Sequence, residues 1–241
     1  MASDPASLQP TRELRIPTLI VVALVVDVAL IGAFMADRLF DHPMGAHVRR
    51  VLDAAEESSL ITWYSTVKLF LVGWWLLTLT LAFARMGTPR TWLSGLLTTG
   101  FFILSIDEAA MIHEAVGFVM DRAWLPTRDR KDTALFHQTG IWVLVVVPVM
   151  AILLWMVISM ARIWRNPGAT RLFILGVIVF LGGAGSDFLG NFTAGSGPLD
   201  TLQVAIEEYL EMVGVTMILW AVHRLLADHS IEPLAQRSAP A

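Results

Sequence analysis

Cysteine does not occur among the 241 residues. Its absence excludes disulfides, thiolate metal ligands and cysteine nucleophiles, so any metal here is held by oxygen and imidazole groups. Charge is scarce as well: Asp, Glu, Lys and Arg make up 16% of the chain, against roughly a quarter in a soluble domain. There is no basic run and the formal net charge is −4, which excludes nucleic acid as an evident partner. What fills the chain instead is apolar. Hydrophobic residues account for 56% and the mean hydropathy is +0.64, which leaves no room for a separate soluble domain.

A helix needs about 20 mostly apolar residues to cross the hydrocarbon core. Stretches of this kind run over 17–36, 60–84, 92–119, 140–162, 171–191 and 201–226. The expected fold is therefore all-α, a single domain built as a bundle of about six transmembrane helices. The first stretch follows Arg12 and Arg15 as a signal peptide would. Its apolar run is too long for one and no small-x-small pattern follows, so a retained anchor is expected. Asp200 and Gln203 have the spacing of an N-cap and its N3 partner for the last span.

Between the first two spans, residues 43–57 place Met44, Val48, Val51, Leu52 and Ala55 at helical spacing, opposite Arg49, Arg50, Asp53 and Glu56. That pattern predicts a helix lying in the membrane interface. Residues 121–137 read as a polar loop, and the Pro-, Ser- and Ala-rich tails, 1–11 and 228–241, as disordered. The turns at 85–91 and 162–171 carry Arg85, Arg90, Arg162, Arg165 and Arg171 without an acid. By the positive-inside rule, both termini are expected in the cytoplasm.

Ionisable groups inside a span are costly and each needs a reason. Asp107, Glu108, His113 and Glu114 fall in the third span, Asp187 and Asn191 in the fifth, Glu207, Glu208 and Glu211 in the sixth, and Lys68 in the second. At 1.5 Å per residue, Asp107, Glu211 and Lys68 come out roughly 16, 16 and 12 Å from the same membrane side, Glu207 roughly 10 Å, Glu114 roughly 7 Å and Asp187 roughly 6 Å. Four segments thus bring polar groups to one layer of one leaflet. On the fifth span, Gly182, Ser186 and Gly190 form a small-xxx-small ridge expected to let a neighbouring backbone approach, beside a polar ridge of Gly183, Asp187 and Asn191. Asp27 stands alone in the first span, expected to be paired or protonated.

An apolar surround cannot hold that many carboxylates ionised together, so protons or cations must offset them. Carboxylates with imidazole on antiparallel helices are the ingredients of di-metal bundle sites, and such ligands suit one or two divalent ions of Fe, Mn or Zn. In that reading the metal ligands are Glu108, His113, Glu114, Glu208 and Glu211. Asp107, Asp187, Glu207, Lys68 and Asn191 then surround them or relay protons. Such a site would serve oxidoreductase or hydrolytic chemistry on a lipid-soluble substrate. The usual di-metal bundle repeats Glu-x-x-His; this chain instead has Glu207-Glu208-x-x-Glu211 and Asp107-Glu108 followed by His113-Glu114. Two other readings stay open: a proton- or cation-coupled transporter or channel, and a non-catalytic structural or assembly subunit of a membrane complex.

The segments Glu57-Ser-Ser-Leu60-Ile-Thr-Trp63, Leu104-Ser-Ile-Asp107-Glu108-Ala-Ala-Met-Ile-His113-Glu114 and Ile206-Glu207-Glu208-Tyr-Leu-Glu211-Met-Val-Gly214 carry a resemblance. On them the chain resembles a group of uncharacterised bacterial multi-pass membrane proteins, from the second span to the sixth. The resemblance implies a bacterial inner-membrane location and marks the same residues; it implies no reaction.

Overall fold

The computed structural model describes residues 16–40, 44–54, 59–89, 91–112, 115, 116, 119, 143–164, 166–193 and 197–229, with the backbone alone described at 143–147, 149, 150, 161–163 and 187–193. Helices α1 (Thr18–Leu39), α2 (Gly45–Leu52), α3 (Leu60–Arg85), α4 (Thr91–Ala110), α5 (Val143–Trp164), α6 (Pro167–Thr193) and α7 (Pro198–Asp228) follow one another, with no strand among the described residues. Of these α1, α3, α4, α6 and α7 are long and apolar enough to cross a membrane. The 22-residue α5 stands where the sequence predicts the fourth span, and its described part includes the apolar stretch Ala151–Met160. The chain is an all-α, polytopic protein. The loop 121–137 and the two tails lie outside the described residues, apart from Asp228 and His229.

Local chemistry sets the helix ends. The Ser59 hydroxyl caps α3 by accepting the Thr62 amide at 3.2 Å. At the other end Gly87 adopts φ +63°, and the Thr88 amide closes back on Phe83 O at 3.0 Å. Asn166 Oδ1 caps α6 through the Ala169 amide, 2.8 Å away. The start of α7 differs from the sequence reading. Its N-cap is Gly197, at φ +64°, with Pro198 in the first helical position, where its missing N–H costs nothing. Asp200 therefore lies within the first turn, and Gln203 reaches Ser186 O and Glu207 Oε2 instead. Within the expected third span, α4 is interrupted after Ala110, where Met111 takes a left-handed φ of +52°, and helix is assigned again at Ile112, Ala115, Val116 and Val119.

Five helices close a ring: α3 packs on α4, α4 on α5, α5 on α6, α6 on α7, and α7 on α3. Helix α1 lies against α7, and the short α2 touches both α1 and α3. Inside the ring Leu69, Phe101, Val157, Phe180 and Ile218, one from each helix, line a dry gap with room for little more than a water molecule. Outside it Val25, Ile103, Trp155 and Ile178 are all more than half exposed. Apolar residues on both inner and outer faces are what a helix between protein and lipid requires.

The closest seam joins α6 and α7. A Cβ on Gly214 would stand 2.5 Å from Phe180 N, and one on Gly183 would stand 2.9 Å from both Glu207 O and Glu211 N. Gly176 meets Gly214 O and Ile218 in the same way. Of the predicted ridge of Gly182, Ser186 and Gly190, Ser186 meets α7 through its carbonyl, which accepts from Gln203, and the surroundings of Gly190 lie outside the description. Gly182 has no neighbour within 4 Å; the contact face is turned by one residue, to Gly176 and Gly183. Replacing Gly214 with Leu forces two backbones apart, an overpacking cost of about 1–3 kcal/mol that thermal unfolding in detergent will read as a clear loss. Gly182→Ala, in open space, is expected to leave the unfolding midpoint unchanged.

Candidate functional site

Three helices meet at a buried charge pair. Lys68, in the third turn of α3, is 2% exposed, and Asp27 of α1 is fully buried. The Lys68 ammonium donates to Asp27 Oδ1 at 2.6 Å, to the Met212 carbonyl at 2.8 Å and to Thr216 Oγ1 at 3.3 Å. Those three bonds use every N–H the ammonium has. Thr216 in turn donates to Asp27 Oδ2 at 2.8 Å, so both carboxylate oxygens are engaged. The Tyr64 ring lies 4.5 Å from Lys68 Nζ, and its hydroxyl donates to Ala23 O at 3.1 Å, a second tie between α3 and α1. A charge in hydrocarbon is tolerable only when paired and fully hydrogen-bonded, and this one is both.

The acidic residues gather on one side of this pair. Helices α3 and α4 run antiparallel: Thr80 bonds Ser94, the Phe70 ring packs at a tilt against Phe102, and the Ser105 hydroxyl donates to Thr66 O. This register puts Glu108 level with Ser65, one turn from Lys68. Helices α3 and α7 run parallel, since Lys68 meets Met212 and Trp75 meets His223. Ser65 is therefore level with the Glu208–Glu211 turn, and Gly183 of α6 sits against Glu211 at the same height. The charges of Glu108 and Glu208 both act on the Lys68 ammonium.

These residues also share the inner face of the ring. Leu69, Leu104, Val215 and Ile218 line the central gap. Ser65 precedes Leu69 by four residues, Glu108 follows Leu104 by four, and Glu211 precedes Ile218 by seven, spacings that keep a helix face. Glu208 precedes Val215 by seven and stands on the same side. The ring is thus apolar at mid-depth and lined by carboxylates and a hydroxyl at one end.

Of the ligands expected from the sequence, Glu108, Glu208 and Glu211 come to this layer, while His113 and Glu114 lie outside the described residues. Asp107 and Glu207 are half-buried, Glu207 accepting from Gln203 at 2.7 Å; the side chains of Asp187 and Asn191 lie outside the description. Asp107, Glu108, Glu207, Glu208 and Glu211 all take part in polar or electrostatic contacts. Among the described residues no three His, Asp or Glu side chains stand close enough to hold a metal ion. Two participants escaped the sequence reading. Asp27 was left without a named partner, although it and Lys68 are the one acid and the one base deep within their spans. Thr216 carries no sequence signal, since a threonine in an apolar helix usually bonds its own backbone.

Removing one member of the pair leaves the other charge buried alone. Lys68→Met and Asp27→Asn are each expected to lower stability by about 3–5 kcal/mol, and the double variant to recover most of that loss, as read by denaturation in detergent. Additive losses in the double variant would mean that the two side chains do not act as a pair.

No curated protein and no solved structure matches the chain. Over residues 18–225 the sequence matches the family described as Domain of unknown function (DUF8692), and the chain belongs to that family.

Proposed function

We propose that the protein moves protons or cations across the membrane through the charged layer centred on Asp27 and Lys68. The observation that carries this reading is the buried Lys68–Asp27 bond, 2.6 Å long, about one turn from the layer that Glu108 and Glu208 enter from α4 and α7. A pair retained only to fasten helices is a poor choice of material, because apolar residues of similar volume hold a bundle at least as well. A lysine shared among several carboxylates has a different use. A proton or cation that neutralises one acid changes the balance of forces on Lys68, and with it the tie between α1, α3 and α7. In this role Asp27 is the resident counter-ion, Lys68 the switching group, and Glu108, Glu208 and Glu211 the entry side. We place the protein in a bacterial inner membrane with both termini in the cytoplasm.

A second reading is supported by the same meeting of Glu108 and Glu208 from α4 and α7. With His113 and Glu114 completing the set, these carboxylates would hold one or two divalent metal ions for oxidoreductase or hydrolytic chemistry on a lipid-soluble substrate. Metal content separates the two. Near-stoichiometric Fe, Mn or Zn in protein purified without chelators, lost in a folded Glu108→Ala/Glu211→Ala variant, would favour this second reading.

The direct test is flux. Liposomes holding the full chain and a pH-sensitive dye, placed under an imposed membrane potential, are expected to take up protons or exchange them for external cations. Glu208→Gln is expected to cut the rate about tenfold or more, as does losing a proton-transfer group elsewhere. Liposomes with the wild-type protein that behave like empty ones would sink the reading. Variants that change thermal stability alone, in a wild type that moves nothing, would point to a structural subunit.

A further inference from the structure

Three polar groups inside the ring stand without a hydrogen-bond partner among the described residues. At the carboxylate end it is the Ser65 hydroxyl, on a side chain 4% exposed. At the opposite end, where α5 turns into α6, they are the indole N–H of Trp164, 1% exposed, and the hydroxyl of Thr170, 7% exposed. All three residues stand on inward faces. Ser65 precedes Leu69 by four residues, Trp164 follows Val157 by seven and Thr170 precedes Val177 by seven; Leu69, Val157 and Val177 all line the central gap. At 1.5 Å per residue, Trp164 and Thr170 come about 10 Å beyond it. Polar groups so deep are ordinarily bonded, and each of these calls for a water.

The stretch between the two ends is apolar. Every residue that lines the gap is Leu, Val, Ile or Phe. From the gap, the Phe101 ring meets Phe173 edge-on at 6.1 Å, and Phe173 meets Trp164 at 5.0 Å. A water-sized space walled by hydrocarbon stays dry, and a dry constriction blocks protons and ions alike. The walls of this one are tied to the ion pair. Lys68 precedes Leu69 and Thr216 follows Val215, so the bonds from the Lys68 ammonium to Met212 O and Thr216 fasten together two of the helices around the gap. Any shift in that tie moves Leu69 relative to Val215 and Ile218.

This inference rests on the transport reading and names its route. We propose that the interior of the ring is the path, entered at the Ser65 level and left past Thr170 and Trp164, and that the apolar gap with the Phe101–Phe173 contact is a hydrophobic gate opened by wetting. Protons cross it on a transient file of water. Ser65 at one end, and Trp164 and Thr170 at the other, hold the last waters before the gate, which shortens the stretch that must wet. Loosening Lys68 from α7 widens it.

The test is proton uptake by liposomes of the full chain under an imposed membrane potential, with threonine placed in the gap. Val157→Thr and Val177→Thr keep the side-chain shape and add a hydroxyl. Each is expected to speed uptake about tenfold, as one added hydrogen bond to water at the barrier would. Ile178→Thr, one residue from Val177 but on the outer face, should run at the wild-type rate. Thr170→Val should slow uptake about tenfold, and Thr170→Ser should stay within about twofold of wild type. The gain in the gap variants should vanish when Glu208→Gln is added, which separates an opened gate from a leak. The assignment is overturned if both gap variants run at the wild-type rate, if Ile178→Thr speeds uptake as much, or if the gain survives Glu208→Gln. Wild-type uptake that falls with Glu208→Gln but ignores every gap substitution would remove this inference and leave the transport reading standing. No uptake by wild type would remove both.

Discussion

A single ammonium group inside a bilayer dictates much of this architecture. Hydrocarbon offers a charge no solvation, so Lys68 must find its whole coordination from protein atoms. It does so by gathering one carboxylate, one carbonyl and one hydroxyl from two other helices. Each donor demands a fixed height and rotation of the helix that supplies it. The register of α1 and α7 against α3 is therefore set at this point, and apolar contacts along the rest of the seam only have to agree with it.

Helix α7 is where the constraints converge. It has to present Met212 and Thr216 toward α3 and α1, Gly214 toward α6, and Val215 and Ile218 toward the ring interior. Five neighbouring positions thus face three directions within about two turns, and each has a residue type that only its own direction explains. Glycine at 214 allows backbone contact, threonine at 216 satisfies a carboxylate, and branched apolar residues at 215 and 218 fill the interior. The carboxylates of the preceding turns enter the layer on the same helix. Their placement follows from contacts that α7 already makes elsewhere.

The sequence made the spans legible because length and apolarity alone decide what crosses a bilayer, and neither depends on which helix touches which. Depth was legible only in part: 1.5 Å per residue puts Glu211 deeper than Lys68, whereas the contacts bring Glu108 and Glu211 to the Ser65 level, a turn nearer that membrane side. Direction around a helix was harder. Gly182 and Gly183 are equal in composition, yet one faces empty space and the other the α7 backbone; a one-residue rotation separates them. Asp27 illustrates another limit, because pairing across 41 positions leaves no periodic trace. Met111 illustrates a third. Nothing in a methionine announces a left-handed backbone, and only the packed structure can hold it there. The cap of α7 was misread for a local reason: Pro198 fixes a helical φ earlier than Asp200 can act.

The Asp27–Lys68 bond also has a history in time. Asp27 is made 41 residues before Lys68 and 189 before Thr216. At ordinary rates of synthesis, about 5–20 residues per second, the first interval lasts seconds and the second longer still. Through that period α1 carries an acid with no partner in its span. It has to wait beside the insertion machinery until α3 arrives, and the full set of bonds closes only when the last helix enters. Biogenesis of this protein is thus ordered by chemistry: its first helix gains a charge partner with α3 and its last hydrogen bond only with α7.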